Sequence, residues 1–326
     1  MTETTEPELY LRNPLPVRPI GRTALSPTHL TLGTWGLSEG AYGPRDRTEL
    51  AARVKEALDL GIRSFDVAPL WGDGVAEEVV GTAIKNIRDE CTVITRAGAI
   101  RKGSDLLRAL DGPSIESSVD ASRRRLGIDT LDIVLLHEPL EKLLVGGAFA
   151  KTLAGLESRG TIRAWGISTT SAETARLALG FGAKVICIPH NLLQPDLVPA
   201  LLEDVEGFGA GILARSPLLH GLLTEQGTIR TSYPREDHRS LRWNETALAV
   251  RRKQAAGFGA AWVQQTRSLA GFALRWALTS PVVSSAIIGP RTKDQLVDLV
   301  DSVTPIDHLE PGLYERTAQI AAALGV

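Results

Sequence analysis

The chain has 326 residues and a mass of 35.0 kDa, enough to bury roughly three quarters of its unfolded surface and to enclose a cofactor-sized cleft unaided. Hydrophobic residues make up 43% and charged residues 23%, ordinary globular usage that excludes disordered, collagenous and fibrous classes. With 36 Lys plus Arg against 38 Asp plus Glu, the net charge of −2 provides no general drive toward nucleic acid or anionic lipid.

Cys91 and Cys187 are too few for a disulfide framework and are spaced for no metal cluster. No apolar run reaches the ~18 residues of a membrane span. The opening MTETTEPELYLRNP is acidic and polar, without the apolar core of a signal peptide. A soluble cytoplasmic protein with a small-molecule substrate is expected, with no nucleic-acid or membrane partner; the oligomeric state is not legible.

Residues 1–16, polar with early prolines, read as a flexible arm, and 17–326 as one unit. HLTLG (29–33) opens a series of short, near-continuously apolar runs. SFDVA (64–68), TVITR (92–96), LDIVLLH (131–137), AWGIS (164–168), VICIP (185–189), GILAR (211–215) and SSAIIG (284–289) follow. Such runs suit strands of a parallel sheet buried on both faces. Between them, 48–60 carries Leu50, Val54, Ala57 and Leu58 at helical spacing and stops at Gly61. Segments 114–126 and 148–156 behave alike before Gly127 and Gly160, and 196–205, 269–278 and 292–300 complete the helices. Strand and helix alternate about eight times over ~300 residues, which favours a closed (β/α)8 TIM barrel, class α/β, over an open doubly wound sheet. No GxGxxG follows the first strand. Residues 222–266 exceed a usual loop and contain TSYPREDHRSLRW (231–243), polar with aromatic punctuation. Barrel sites are built from loops after strands, so this insertion is expected to be an active-site lid.

The strand ends of such a barrel face the cleft. Here they are Trp35, Asp66, Arg96, His137, Ser168, His190 with Asn191, Arg215, and the turn of Gly289, Pro290 and Arg291. A buried charge needs a partner, and Asp66 and Arg96, ending adjacent strands, are expected to pair. Arg96 and Arg215 near one cleft point to an anionic group on the substrate. A helix beginning at Thr292 adds its dipole to anion binding after Arg291.

These residues carry a resemblance. GIRSFDVAPLWGDG (61–74) resembles the signature of the aldo-keto reductase superfamily. LGTWG (32–36), LDIVLLHEP (131–139), WGIST (165–169), RSPLLHGLLT (215–224) and IIGPRTKDQL (287–296) are similar to its later motifs in order, and DHR (237–239) matches a bacterial subgroup. The resemblance runs nearly the whole chain. It implies an (α/β)8 barrel binding NADPH without a Rossmann domain and reducing aldehydes and ketones.

The family's catalytic tetrad is Asp, Tyr, Lys and His. Asp66 and His137 fall on the Asp and His, whereas Trp71 stands at the Tyr and Arg96 at the Lys. Hydride reaching a carbonyl carbon leaves charge on oxygen, which needs a proton donor and positive potential. Trp71 offers an N–H that does not titrate, and Arg96 keeps its proton above pH ~12. Losing a general acid typically costs ~10²–10⁴ in rate. His137, with a reference pKa of about 6.5, is the expected replacement acid; Glu138, Tyr42 and His190 are lesser candidates.

The resemblance further implies cofactor contacts from Trp35, Ser168, Thr169, Cys187, Arg215, Leu219, Gly221, Gly289, Arg291 and Gln295. Thr169 and Cys187 replace the Asn and Gln that hold the carboxamide, and Leu299 replaces an adenine-contacting Asn, whereas Arg291 and Gln295 match the 2′-phosphate and adenosine end. Three functions stay open. One is NADPH-dependent reduction, or reverse oxidation, of a small polar or anionic carbonyl compound. The second is non-redox proton-transfer chemistry (dehydratase, lyase, epimerase or cyclase), and the third a non-catalytic homologue.

Overall fold

The computed structural model describes residues 13–37, 41–43, 46–102, 105–262 and 266–326. Most of the expected arm lies outside these residues. Its last four, 13–16, lie on the barrel, where Leu15 is buried and its N–H donates to the Gly61 carbonyl at 2.8 Å.

Eight strands lie where the apolar runs place them: β1 Leu30–Gly33, β2 Ser64–Asp66, β3 Thr92–Ala97, β4 Leu131–His137, β5 Ile162–Ser168, β6 Val185–Pro189, β7 Gly211–Arg215 and β8 Val283–Ile288. They pair in parallel, in chain order, and β8 returns to β1 with Ala286 opposite Leu30, closing the barrel. Ile94, Ile133, Leu135, Cys187 and Leu213 form a cluster that fills the interior. A larger cluster, with Phe65, Val93, Val134 and Leu153, packs the strands against surrounding helices. Both cysteines are buried and unpaired.

Helices follow the expected segments closely, with ends set by capping. Arg47–Asp59 starts after Asp46, whose side chain accepts from the Glu49 N–H. Gly112–Leu126 ends at Gly127, whose φ of 65° is the left-handed cap glycine adopts without penalty. Helices Val75–Ile84, Ala172–Gly180 and Pro311–Ala323 and the hairpin of Ala99–Lys102 with Asp105–Arg108 add to the sequence-based expectation. No helix among the described residues is long and apolar enough to cross a membrane.

The insertion divides into two parts. Residues 224–242, with helices Glu225–Ile229 and Arg239–Arg242, reach the cleft at the strand C-termini. Helix Glu245–Gly257 instead packs on the outside, where Gln254 donates to the carbonyls of Leu324 and Gly325. Residues 263–265 lie outside the described set.

The opposite end is held by a polar clamp. Arg18 donates to the carbonyls of Leu278, Ser280 and Val283 and to Asp307, which also meets His29 at 2.7 Å. The His29 hydrogen bond leads the interactions that hold the Asp307 carboxyl well below the usual carboxylate range. A depressed folded-state pKa stabilises above the unfolded value and is lost as pH falls below it. Asp307→Asn should therefore cost about 1–3 kcal/mol at pH 7, near the scale of charge-assisted hydrogen bonds. The gap between mutant and parent thermal midpoints should shrink steadily as pH is lowered through 4 toward 2; a gap independent of pH contradicts the assignment.

Candidate active site

Alternate residues of a strand face the barrel axis. Two positions beyond the inward-facing Ile94, Leu135 and Leu213 come Arg96, His137 and Arg215, and Ala164 leads by the same step to Gly166 and then Ser168. Strand periodicity thus delivers four polar side chains to the C-terminal mouth. With Asp66, Trp71 and Trp35 they line a cavity of about 1060 Å³.

At one end Asp66 and Arg96 form the expected pair. Nη1 and Nη2 of Arg96 donate to the two carboxylate oxygens, and Nη1 also reaches the Val67 carbonyl at 3.1 Å. The side chains are 4% and 5% exposed, so their charges compensate each other rather than water doing so. Burial works against the Arg96 charge, but nearby negative charge, led by Asp66, offsets it and raises the guanidinium's pKa. The guanidinium lies 4.5 Å from the Trp71 ring centroid, within cation–π range. Trp71 is itself buried.

His137 does not behave as its reference pKa suggests. Burial, then the charges of Arg96, Arg108 and Arg215, push it down to about 3. The ring is neutral at pH 7 and cannot be the imidazolium acid expected from sequence. Its Nδ1 has no hydrogen-bond partner among the described residues. The cation missing from the sequence reading is Arg108, delivered by the unexpected hairpin.

Arg215 donates to Glu138 Oε1 at 2.9 Å. Glu138 follows β4 directly, with its N–H on the Ser168 carbonyl and its own carbonyl accepting from Arg108. Tyr42 also lines the cavity, but its ring lies under Arg239 and Arg291, and burial pushes its hydroxyl up to about 12. His190 is buried against Trp276, ring centroids 4.4 Å apart.

The far end is built from the β8 turn and the insertion. The Arg291 N–H donates to Gln295 Oε1, and Thr292 caps helix Lys293–Ser302 by accepting from the Gln295 N–H. Gly289, Arg291, Gln295, Gly221, Arg230 and Arg242 line this end, together with Glu225 and Asp298. Residues 231–243 cross over as a strap. Tyr42 and Asp237 form an antiparallel bridge, and the His238 N–H donates to the Ala41 carbonyl at 3.0 Å. Arg239 forks onto Asp237 and donates to the His220 carbonyl. The His238 ring is wedged edge-on against Trp35 at 4.6 Å. Sequence reading singled out Arg239 only within DHR, and Arg230 and Arg242 carried no signal beyond their place in the insertion.

Three expected cofactor contacts do not line the cavity. Cys187 faces the barrel interior below Arg96. Thr169 follows Ser168, so strand alternation turns it away; its N–H is held by the Cys187 carbonyl at 3.1 Å. Leu219 packs with Leu192 and Leu193 behind the wall. Among the described residues no cluster of His, Cys, Asp or Glu is arranged to hold a metal ion.

A closed eight-stranded barrel with a polar cleft at the strand C-termini defines a (β/α)8 barrel of the kind whose sites lie at that face. The Aldo/keto reductase family model matches residues 29–310, and the chain belongs to that family. Aldo-keto reductase YhdN of Bacillus subtilis is 29% identical over 289 residues, 85% of each chain. The NADH-specific methylglyoxal reductase of Escherichia coli is 33% identical over 233 residues, 66% of this chain and 70% of that one. A glycerol dehydrogenase of Gluconobacter oxydans has a similar structure, with a TM-score of 0.78 at 27% identity over 94% of this chain and 95% of the other.

Proposed function

We propose that the protein is an oxidoreductase that uses NADPH to reduce a small polar carbonyl compound, or to run the reverse oxidation, with Trp71 and Arg96 in place of a tyrosine and a lysine. One observation carries this reading: Asp66, Trp71, Arg96 and His137 share one end of a cavity whose other end holds Arg291 and Gln295 at a helix N-terminus. The donor set fits the cofactor. Arg230, Arg242 and Arg291, with the N-terminal dipole, suit a polyphosphate, and Ser168 remains for the carboxamide. The strap of 231–243 serves as a lid over it.

NADPH, when bound, supplies the hydride. A guanidinium has five N–H groups, and those of Arg96 that do not face Asp66 or Val67 hold the charge that develops on the substrate oxygen. The neutral His137 ring donates one N–H to the same oxygen, and Trp71 packs its ring against the Arg96 guanidinium and holds it in place. None of these groups releases a proton near pH 7, so the proton comes from water and turnover is slow. Calorimetric titration of the protein with NADPH and with NADH tests the reading. Stoichiometric binding is expected, tighter for NADPH because Arg291 would meet the 2′-phosphate. No binding of either at millimolar concentration rules the reading out and leaves chemistry without hydride transfer.

A further inference from the structure

Arg96 and Arg215 near one cleft suggest, from sequence, an anionic group on the substrate. The structure gives each a carboxylate of its own. Arg96 is forked onto Asp66. Arg215, 22% exposed, is met by Glu138, 45% exposed, at 2.9 Å. Arg215 Nε is buried without a hydrogen-bond partner among the described residues, so its bonding to protein is through Nη2 toward Glu138.

Glu138 is held in place with some strain. Its φ is 43°, in the left-handed region that residues other than glycine enter at a cost. Both backbone polar groups are fixed, the N–H by the Ser168 carbonyl at 2.9 Å and the carbonyl by Arg108 Nε at 2.8 Å. The turn out of β4 is thus anchored where the side chain meets the end of β7.

We propose that Glu138 is a specificity-determining residue: by covering Arg215 it neutralises the guanidinium an anionic group would meet at the reacting end of the cleft and turns away carboxylate-bearing carbonyl compounds in favour of uncharged ones of the same shape. This deepens the proposed function by naming the substrate class. An anion approaching Arg215 must displace the Glu138 carboxylate and then sit beside it, and such a repulsive element separates ligands more sharply than attraction alone. Guanidiniums that suit the cofactor's phosphates lie at the far end, where Arg230, Arg242 and Arg291 line the wall.

The test uses cofactor-free protein and two probes of one shape, propionate and propionamide, with binding followed by ligand-observed NMR at low salt. It therefore stays readable whatever the NADPH titration gives. The parent is expected to bind propionate no tighter than propionamide. Glu138→Gln, isosteric but uncharged, should tighten propionate about tenfold, the scale of a charge-assisted hydrogen bond released to a ligand, and added salt should erode the gain. Arg215→Gln placed on top should abolish it. Arg215→Gln alone, which uncovers the carboxylate, should disfavour propionate further. A parent that prefers propionate tenfold, a Glu138→Gln gain below threefold, or a gain that survives loss of Arg215 would overturn the proposal.

Discussion

Trp71→Tyr is expected to raise the rate of carbonyl reduction by about 10²-fold or more, the contribution a positioned general acid typically makes. The substitution puts a phenol where the indole lies, 4.5 Å under the Arg96 guanidinium. That cation lowers the phenol's pKa by favouring phenolate, so the proton passes more readily to a developing alkoxide. The gain should appear in kcat with methylglyoxal, an uncharged probe, and KM should move less, because the proton is needed only in the transition state. The pH profile carries a second signature. In the parent, His137 is pushed down to about 3, and the rate should be nearly flat between pH 6 and 9. The variant should gain an alkaline limb as its phenol ionises. An unchanged rate with an unchanged profile means that Trp71 does not face the reacting oxygen.

Asp66→Ala is expected to be the most damaging single change at the site for stability. It leaves the Arg96 charge, 5% exposed, without its carboxylate. Removing one partner of a buried pair costs about 3–5 kcal/mol because the other is stranded. At roughly 2–4 °C per kcal/mol for a large domain, the thermal midpoint should fall by about 10 °C. Replacing both residues with apolar ones, Asp66→Leu with Arg96→Met, should recover much of that loss, since a buried pair in total adds little over well-packed hydrocarbon. Circular-dichroism melts of both variants check this, and a double variant as unstable as the single one refutes it. Neither variant should retain reductase activity.

The barrel was legible because parallel strands buried on both faces read as continuous apolar runs. Each run from 29–33 to 284–289 coincides with a strand. The hairpin of Ala99–Lys102 with Asp105–Arg108 was not, because its Leu106 and Leu107 are exposed and its pattern resembles neither a buried strand nor a helix. Helix Val75–Ile84 was hidden by a different cause: it buries Glu77, whose carboxylate is satisfied by Thr95 and Arg125, so its inner face does not read as apolar. At the site, adjacency of strand ends sufficed to pair Asp66 with Arg96. The contact between Glu138 and Arg215 joins elements 77 residues apart and carries no local signal. The surroundings of His137 were illegible for a related reason, since a reference pKa says nothing of three arginines converging from β3, β7 and the hairpin. Alternation along a strand, applied to Thr169 after Ser168, would have excluded that residue from the wall in advance.

The burial of both cysteines has a practical consequence. Thiol reagents attack the thiolate, and burial raises the pKa of Cys187 and pushes that of Cys91 up to about 12. In the closed barrel neither sulfur reacts, so every molecule that takes up label has first come apart around it. Cys187 sits inside the ring of strands, and Cys91 immediately precedes β3. Labelling rates at the two sulfurs, resolved by mass, therefore act as two clocks that time how often the interior and the base of the β3 wall come open.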